Sequence, residues 1–455
     1  MRIRRLLVAN RGEVAVRIIG TCRRLGIATV LAASDVDLEG TAARLADEVV
    51  RIGPAPATAS YLDVDAVVAA ALRTRVDALH PGYGFLSENP RLAEACDAAG
   101  VTFVGPTGAQ LRAVGDKLQA RRHAEAAGVP LSAGGEVTTP TDAVKLAGEV
   151  GWPVLVKAVG GGGGRGLRRV ERADELVAAV ERAMAEAEAS FGDARVYLER
   201  FVTSGRHVEV QVLGDGDGDV VHLGTRDCSI QRRYQKLVEE APAPDLDDAL
   251  RDGLHGAAVA LARRLSYRGA GTVEFLVDRD RGTFAFLEVN ARIQVEHPVT
   301  EQVTGIDLVA AQLALAEGHG LPVAQDDVTF AGHAIECRIN AEDPARGFRP
   351  SPGTVTRAVF PVGTGVRVDT HVQRGAVVPP HYDSLLAKLV VTGTDRTEAL
   401  DRLRDTLGRC HVEGVDTNLA LHARLAADPD VRAGPVDTTF LPALLTTAPI
   451  EAGHG

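Results

Sequence analysis

The stretch Glu288 to Pro298, EVNARIQVEHP, sets Glu288, Asn290, Arg292, Gln294 and Glu296 at every second position, with Val289, Ala291, Ile293 and Val295 between them. This period predicts a strand, because successive strand side chains point to opposite faces. One face carries carboxylates, amides and a guanidinium; the other is aliphatic and belongs in a core. A half-solvated strand alternates in the same way, so the pattern alone leaves a merely wet face open. The upstream residues narrow it. Gly271 to Val277 (GTVEFLV) and Thr283 to Val289 (TFAFLEV) flank the polar turn Asp278 to Gly282, which predicts a hairpin. A turn centred near Arg281 sets Glu274 opposite Glu288. Like charges directly opposite each other are unfavourable unless a cation lies between them. Magnesium takes few protein carboxylates and fills its remaining sites with water and substrate phosphates. Glu274, Glu288 and Asn290 therefore point to a metal and nucleotide site.

At 455 residues the chain has room for two or three domains. Its net charge of −11 and lack of a basic stripe argue against nucleic acid as a partner. Cys22, Cys96, Cys228, Cys337 and Cys410 are scattered and without CxxC spacing, so neither a disulfide framework nor a zinc site is expected. No run approaches the length of an apolar membrane span, and Arg11 and Glu13 break the opening apolar stretch too early for a signal peptide. A cytoplasmic location is expected. Lysine occurs only at Lys117, Lys145, Lys157, Lys236 and Lys388, so each is a candidate for a role.

Leu6 to Ala9, the turn Asn10 to Glu13, an amphipathic helix over Val14 to Leu25 and the strand Ile27 to Ala32 form a βαβ opening. With Val76 to Leu79 and Thr102 to Val104 they predict an open parallel, Rossmann-like sheet. No GxGxxG follows the first strand, so a dinucleotide is not indicated. The strand Pro153 to Val159 runs into five glycines, Gly160 to Gly164. Such a run is costly to order and suits backbone amides that approach an anion or a lid that closes over substrate. The lysine precedes the glycines, so this is not the Walker pattern.

Lys157 with this loop, Glu199 in VYLERF, and the carboxylates Glu274 and Glu288 resemble the ATP-grasp ligases. HPGYGFLSEN at 80–89, GDK at 115–117, RHVEVQV at 206–212, RDCSIQRRYQKLVEEAP at 226–242, EVNARIQVEHPVTE at 288–301 and GHAIECRINAEDP at 332–344 narrow the resemblance to biotin carboxylase over nearly the whole chain. It implies an α/β protein with an N-terminal domain over 1–112, an ATP-grasp domain over 113–330 with a lid at about 131–203, a mixed C-terminal domain over 331–447 and a tail at 448–455. By the same resemblance Lys117, Lys157 and the Gly163 and Gly164 amides hold ATP phosphates. Glu199, Arg200, Phe201, Val202, His207 and Leu276 surround adenine and ribose, with Tyr234 nearby. Glu274, Glu288 and Asn290 bind Mg²⁺ or Mn²⁺. Lys236, Arg292 and the Val295 backbone hold bicarbonate, Glu296 takes its proton, and Tyr83 and Arg338 contact biotin. An ion pair of Arg292 with Glu296, on one strand face, would keep that base ionised.

Tyr234, Arg200 and Ala291 stand where the family usually has histidine, lysine and threonine. The resemblance also implies a biotin carboxyl carrier protein and a carboxyltransferase subunit as partners and a homodimer, with the biotin expected on another polypeptide or on a further part of a longer chain. Another ATP-grasp ligase forming an acyl phosphate, or a catalytically silent nucleotide-binding subunit, are the alternatives. The joint presence of Lys236, Arg292, Glu296 and Arg338 argues against the silent one.

Overall fold

The computed structural model describes residues 2–159 and 167–447; the expected phosphate-loop positions Gly163 and Gly164 lie outside the described residues. The βαβ opening forms as expected from β1 (Arg5–Val8), the helix Gly12–Leu25 and β2 (Ala28–Ser34). With β3 (Glu48–Gly53), β4 (Ala78–His80) and β5 (Thr102–Phe103) they make a parallel sheet in the order β3-β2-β1-β4-β5. β3 was absent from the sequence expectation. Its exposed Glu48 and Arg51 break up the apolar run of an edge strand.

A smaller antiparallel sheet contains β6 (Gly134–Val137), β7 (Val154–Ala158), β8 (Leu167–Val170) and β9 (Val196–Arg200), ordered β6-β9-β7-β8. Val154, Val156, Val196 and Leu198 pack beneath the helices Pro140–Val150 and Ala173–Phe191, meeting Ala147, Leu176 and Val180. Alternation then turns Lys157 and Glu199 to the opposite face.

The largest sheet is antiparallel and eight-stranded. β10 (Gly205–Asp215), β11 (Val220–Arg232), β12 (Gln235–Ala241), β13 (Arg268–Asp278), β14 (Thr283–Asn290) and β15 (His333–Asn340) run in the order β14-β13-β10-β11-β12-β15, continued by Leu385–Gly393 and Val366–Thr370. The C-terminal strands thus hydrogen-bond into the same sheet as the central ones.

The hairpin of β13 and β14 pairs Glu274 with Glu288, as the sequence predicts. The reason lies partly in a bulge: Phe275 pairs with Phe286, so Leu287 is an extra residue that advances the register by one. The strand expected to reach Pro298 ends instead at Asn290. The Ala291 amide leaves the ladder and donates to Glu88 Oε1 at 2.8 Å; residues 291–296 are irregular, and a helix begins at His297.

Candidate active site

The three sheets enclose a cavity of about 1000 Å³. The small sheet supplies Lys157, Glu199 and Arg200, the large one His207, Lys236, Glu274, Glu288 and Arg338, and the parallel sheet's loops Tyr83 and Glu88. Lys117, Phe201, Val202, Tyr234, Leu276, Asn290, Arg292 and Val295 also line it. Among the described residues, every predicted site residue except Glu296 borders this cavity, and Glu296 lies immediately behind its wall.

Glu296 is fully buried. Its Oε1 accepts from Lys236 Nζ at 2.7 Å and its Oε2 from Arg338 Nη2 at 2.9 Å. Burial alone would push this carboxyl up, but Lys236, Arg338 and Arg226 outweigh it and hold it far below the usual carboxylate range. It is also the residue that opens the helix His297–Thr304, where the helix dipole favours an anion. The result is an ionised, desolvated carboxylate at the edge of a polar cavity.

Lys236 is a hub. It donates to Glu209 Oε2 at 2.6 Å and Glu274 Oε1 at 2.8 Å as well as to Glu296. Burial works against its charge, but the surrounding carboxylates and Cys228 raise its pKa well above the usual value. Glu209 is anchored in turn by Arg226 at 2.5 Å, a fully buried arginine that also donates to Gln211, Thr300 and Thr272. Sequence reasoning missed Glu209, Arg226 and Glu88. The signal for Glu209 was its place between Val208 and Val210 in RHVEVQV, where an alternating strand carries a polar side chain inward.

Arg292 does not pair with Glu296, contrary to expectation. Because the strand ends at Asn290, the two no longer share a face. The guanidinium donates to Glu88 Oε2 at 3.0 Å, Gln294 Oε1 at 2.8 Å and Asn290 Oδ1 at 2.8 Å. The Val295 carbonyl accepts from Lys388 Nζ at 3.0 Å. Lys388 also pairs with Glu13 at 3.0 Å, and Glu13 receives the Tyr83 hydroxyl. Tyr83 is held by its loop: Asn10 Nδ2 donates to the Pro81 and Tyr83 carbonyls at 2.7 Å each. A Cβ on Gly82, which has φ +63°, would lie 2.8 Å from that amide nitrogen, so this turn requires glycine.

At the end of the cavity expected to take the nucleotide, Lys157 pairs with Glu199, and Ser132 donates to the other oxygen of Glu199. Arg200 turns to Asp278 at 3.1 Å. Lys117 has its pKa lowered by burial, countered by Glu288. Tyr234 is 51% exposed at a two-residue turn in which Arg233 and Tyr234 both have positive φ. His207 pairs with Glu274 Oε2 at 2.8 Å.

The donor atoms of His207, Glu209 and Glu274 lie within 4.8 Å of one another, but the Lys236 ammonium is already seated against both carboxylates. Glu274 also receives Asn290 Nδ2 at 2.9 Å and Gln294 Nε2 at 3.1 Å. The Glu288 carboxylate, facing Glu274, accepts no hydrogen bond from any described residue. Burial and then Glu274 raise its pKa. A half-buried carboxylate without a donor, opposite a second carboxylate, fits a hard divalent cation.

Three family models cover the chain: biotin carboxylase N-terminal domain at 2–111, the ATP-binding domain of the carbamoyl-phosphate synthase L chain at 116–324, and biotin carboxylase C-terminal domain at 336–443. A biotin carboxylase of Pseudomonas aeruginosa is 50% identical over 96% of this chain and 98% of its own. One from Nostoc is 48% identical over 97% and 99%. The solved biotin carboxylase domain dimer of Hydrogenobacter thermophilus 2-oxoglutarate carboxylase, bound to MgADP, ADP and bicarbonate, superposes with a TM-score of 0.95 at 42% identity, covering 100% of both chains. By sequence, by domain content and by fold, the chain belongs to the biotin carboxylase family.

Proposed function

We propose that the protein uses ATP and bicarbonate to carboxylate biotin, the first half-reaction of an acyl-CoA-type carboxylase. The observation that carries this reading is Glu296, ionised and fully buried between Lys236 and Arg338; ATP binding alone needs no such base. Glu296 takes the proton of bicarbonate, and the freed oxygen attacks the γ-phosphorus of ATP. ADP leaves and carboxyphosphate forms. This mixed anhydride breaks into CO₂ and phosphate, the phosphate takes the proton of biotin N1, and the freed nitrogen bonds to CO₂. Arg292, with a fork that matches a two-oxygen anion, and Lys236 hold the bicarbonate beside the Val295 amide, which donates to no described residue. Arg338 faces the oxyanion of the biotin enolate, and Tyr83 lies beside it in the cavity wall.

Lys117 and Lys157 neutralise ATP phosphates, since phosphoryl transfer is stabilised chiefly by positioned cations and metal. Glu199, Arg200, Phe201, Val202, His207, Tyr234 and Leu276 surround the nucleoside. Glu274, Glu288 and Asn290 would hold Mg²⁺ or Mn²⁺, which when bound neutralises charge on the phosphates. The domain division is 1–112, 113–330 with a lid at about 131–203, and 331–447. A biotin carboxyl carrier protein and a carboxyltransferase are the partners in this reading, with a homodimer as the working unit and the cytoplasm as its location. The dimeric Hydrogenobacter domain supports the homodimer. No described helix is long and apolar enough to cross a membrane. Solved relatives of this module belong to 2-oxoglutarate, pyruvate and urea carboxylases, which supports a final acceptor chosen outside it. The test is ADP release driven by bicarbonate: dependence on added free biotin supports the reading, and biotin-independent acyl transfer to an amine would replace it.

A further inference from the structure

Behind Arg338 lies a second pair of acids that this mechanism does not use. Glu239 on β12 and Glu336 on β15 are directly opposite across the antiparallel ladder, which brings their Cβ atoms to about 5 Å. Both are fully buried. Arg338 donates to Glu239 Oε1 at 2.6 Å. No described residue hydrogen-bonds Glu239 Oε2 or either oxygen of Glu336. Two buried carboxylates facing each other cannot both stay ionised with one shared guanidinium, because an unpaired buried charge is too costly.

The charged groups around the pair are accounted for on every side. Arg338 on β15 is shared with Glu296. Lys388, on the neighbouring strand Leu385–Gly393, is committed to Glu13 and to the Val295 carbonyl. Lys236 is taken by Glu209, Glu274 and Glu296. The helix His297–Thr304, packed over this face through Val299 and Val303, carries His297, whose Nδ1 meets the Gln294 carbonyl, and Glu301, paired with Arg17 and Arg367.

We propose that Glu239 and Glu336 hold one proton between them, Glu336 as the acid and Glu239 as the carboxylate, and that this pair is the positioning element for Arg338. The Glu336 hydroxyl donates to the open Glu239 Oε2, leaving Oε1 to Arg338. Burial pushes both carboxyls up, Glu239 to about 7 and Glu336 well above the ordinary value. With one proton the pair carries a single negative charge, and Arg338 is balanced between it and Glu296. Loss of the proton adds a second charge and draws the guanidinium away from the cavity.

The infrared spectrum of the full chain at about pH 8, where an ordinary glutamate is ionised, tests this directly. A protonated carboxyl band that shifts in deuterium oxide and vanishes in Glu336→Gln is expected. Folding stability gives a second readout. Above the ordinary glutamate value, folding the wild type must take up a proton, so its stability falls as pH rises towards the folded-state value. Glu336→Gln, which keeps a donor and cannot titrate, gains about tenfold in relative folding equilibrium per pH unit over that window. The third readout rests on the function proposed above: the KM for biotin rises in alkali for wild type and stays flat for the variant. Absence of the band, or parallel stability curves, overturns the acid pair. A band with a pH-independent biotin KM in active wild type overturns the positioning role. A band without biotin-dependent turnover overturns the proposed function and leaves the pair standing.

Discussion

Replacing Glu296 by Gln removes one negative charge and almost no volume, at a position where the consequences can be worked out. Lys236 loses one of three carboxylates and keeps Glu209 and Glu274 at 2.6 and 2.8 Å; Arg338 keeps Glu239 at 2.6 Å. Neither cation is stranded, so the stability loss should fall below the roughly 3–5 kcal/mol that follows when a buried charge loses its only partner. Losing a positioned general base costs about 10²–10⁴-fold in rate, or about 3–5 kcal/mol of transition-state stabilisation. Biotin-dependent, bicarbonate-driven ADP release should drop by that factor while ATP affinity, measured by calorimetry, is nearly unchanged. The pH dependence follows from the depressed pKa of Glu296. Its ionised form adds stability above the ordinary carboxylate range, and that contribution disappears as pH falls through the folded-state value. Wild type and variant should therefore converge in stability in acid and separate towards neutrality. Turnover above about one tenth of wild type, or ATP binding lost in parallel with turnover, would refute the assignment of Glu296 as the base.

Glu288→Gln should abolish metal-dependent ATP turnover, yet without metal at neutral pH be at least as stable as wild type, because it removes a carboxylate that burial and Glu274 disfavour; thermal melts with and without Mg²⁺ check both. Arg226→Met strands the fully buried Glu209 on Lys236 alone and breaks contacts to Gln211, Thr300 and Thr272. About 3–5 kcal/mol of stability should be lost, visible as a lower denaturant midpoint. Glu240 lies between His333 at 2.8 Å and Arg396 at 2.7 Å; burial would raise its pKa, but these partners lower it. Its stabilisation is present above the ordinary carboxylate range and lost on acidification, so Glu240→Gln should weaken the fold near neutrality and not in acid. Arg338→Ala should leave ATP binding near normal and remove biotin-dependent ADP release.

The parallel sheet and the hairpin were readable because their signals are local. The apolar runs of β1 and β2, and the spacing of GTVEFLV and TFAFLEV about a polar turn, depend only on neighbours along the chain. Many of the residues that line the cavity were equally legible in residue types, since buried polar groups are costly and stand out in apolar strands. What periodicity could not supply was where a pattern stops meaning a strand. The EVNARIQVEHP alternation continues past Asn290, but the backbone does not, because Glu88, 203 residues away in sequence, takes the Ala291 amide. That one contact separates Arg292 from Glu296 and gives each a different partner. The bulge at Leu287, the gathering of three carboxylates on Lys236, and the facing of Glu239 with Glu336 likewise arise from strands that meet only in the folded sheet. The sequence by itself determined the fold class and many of the charged side chains that line the cavity. Tertiary structure alone decided which charges meet, because buried electrostatics depends on distance in space and on lost solvent, and neither is written in the order of residues.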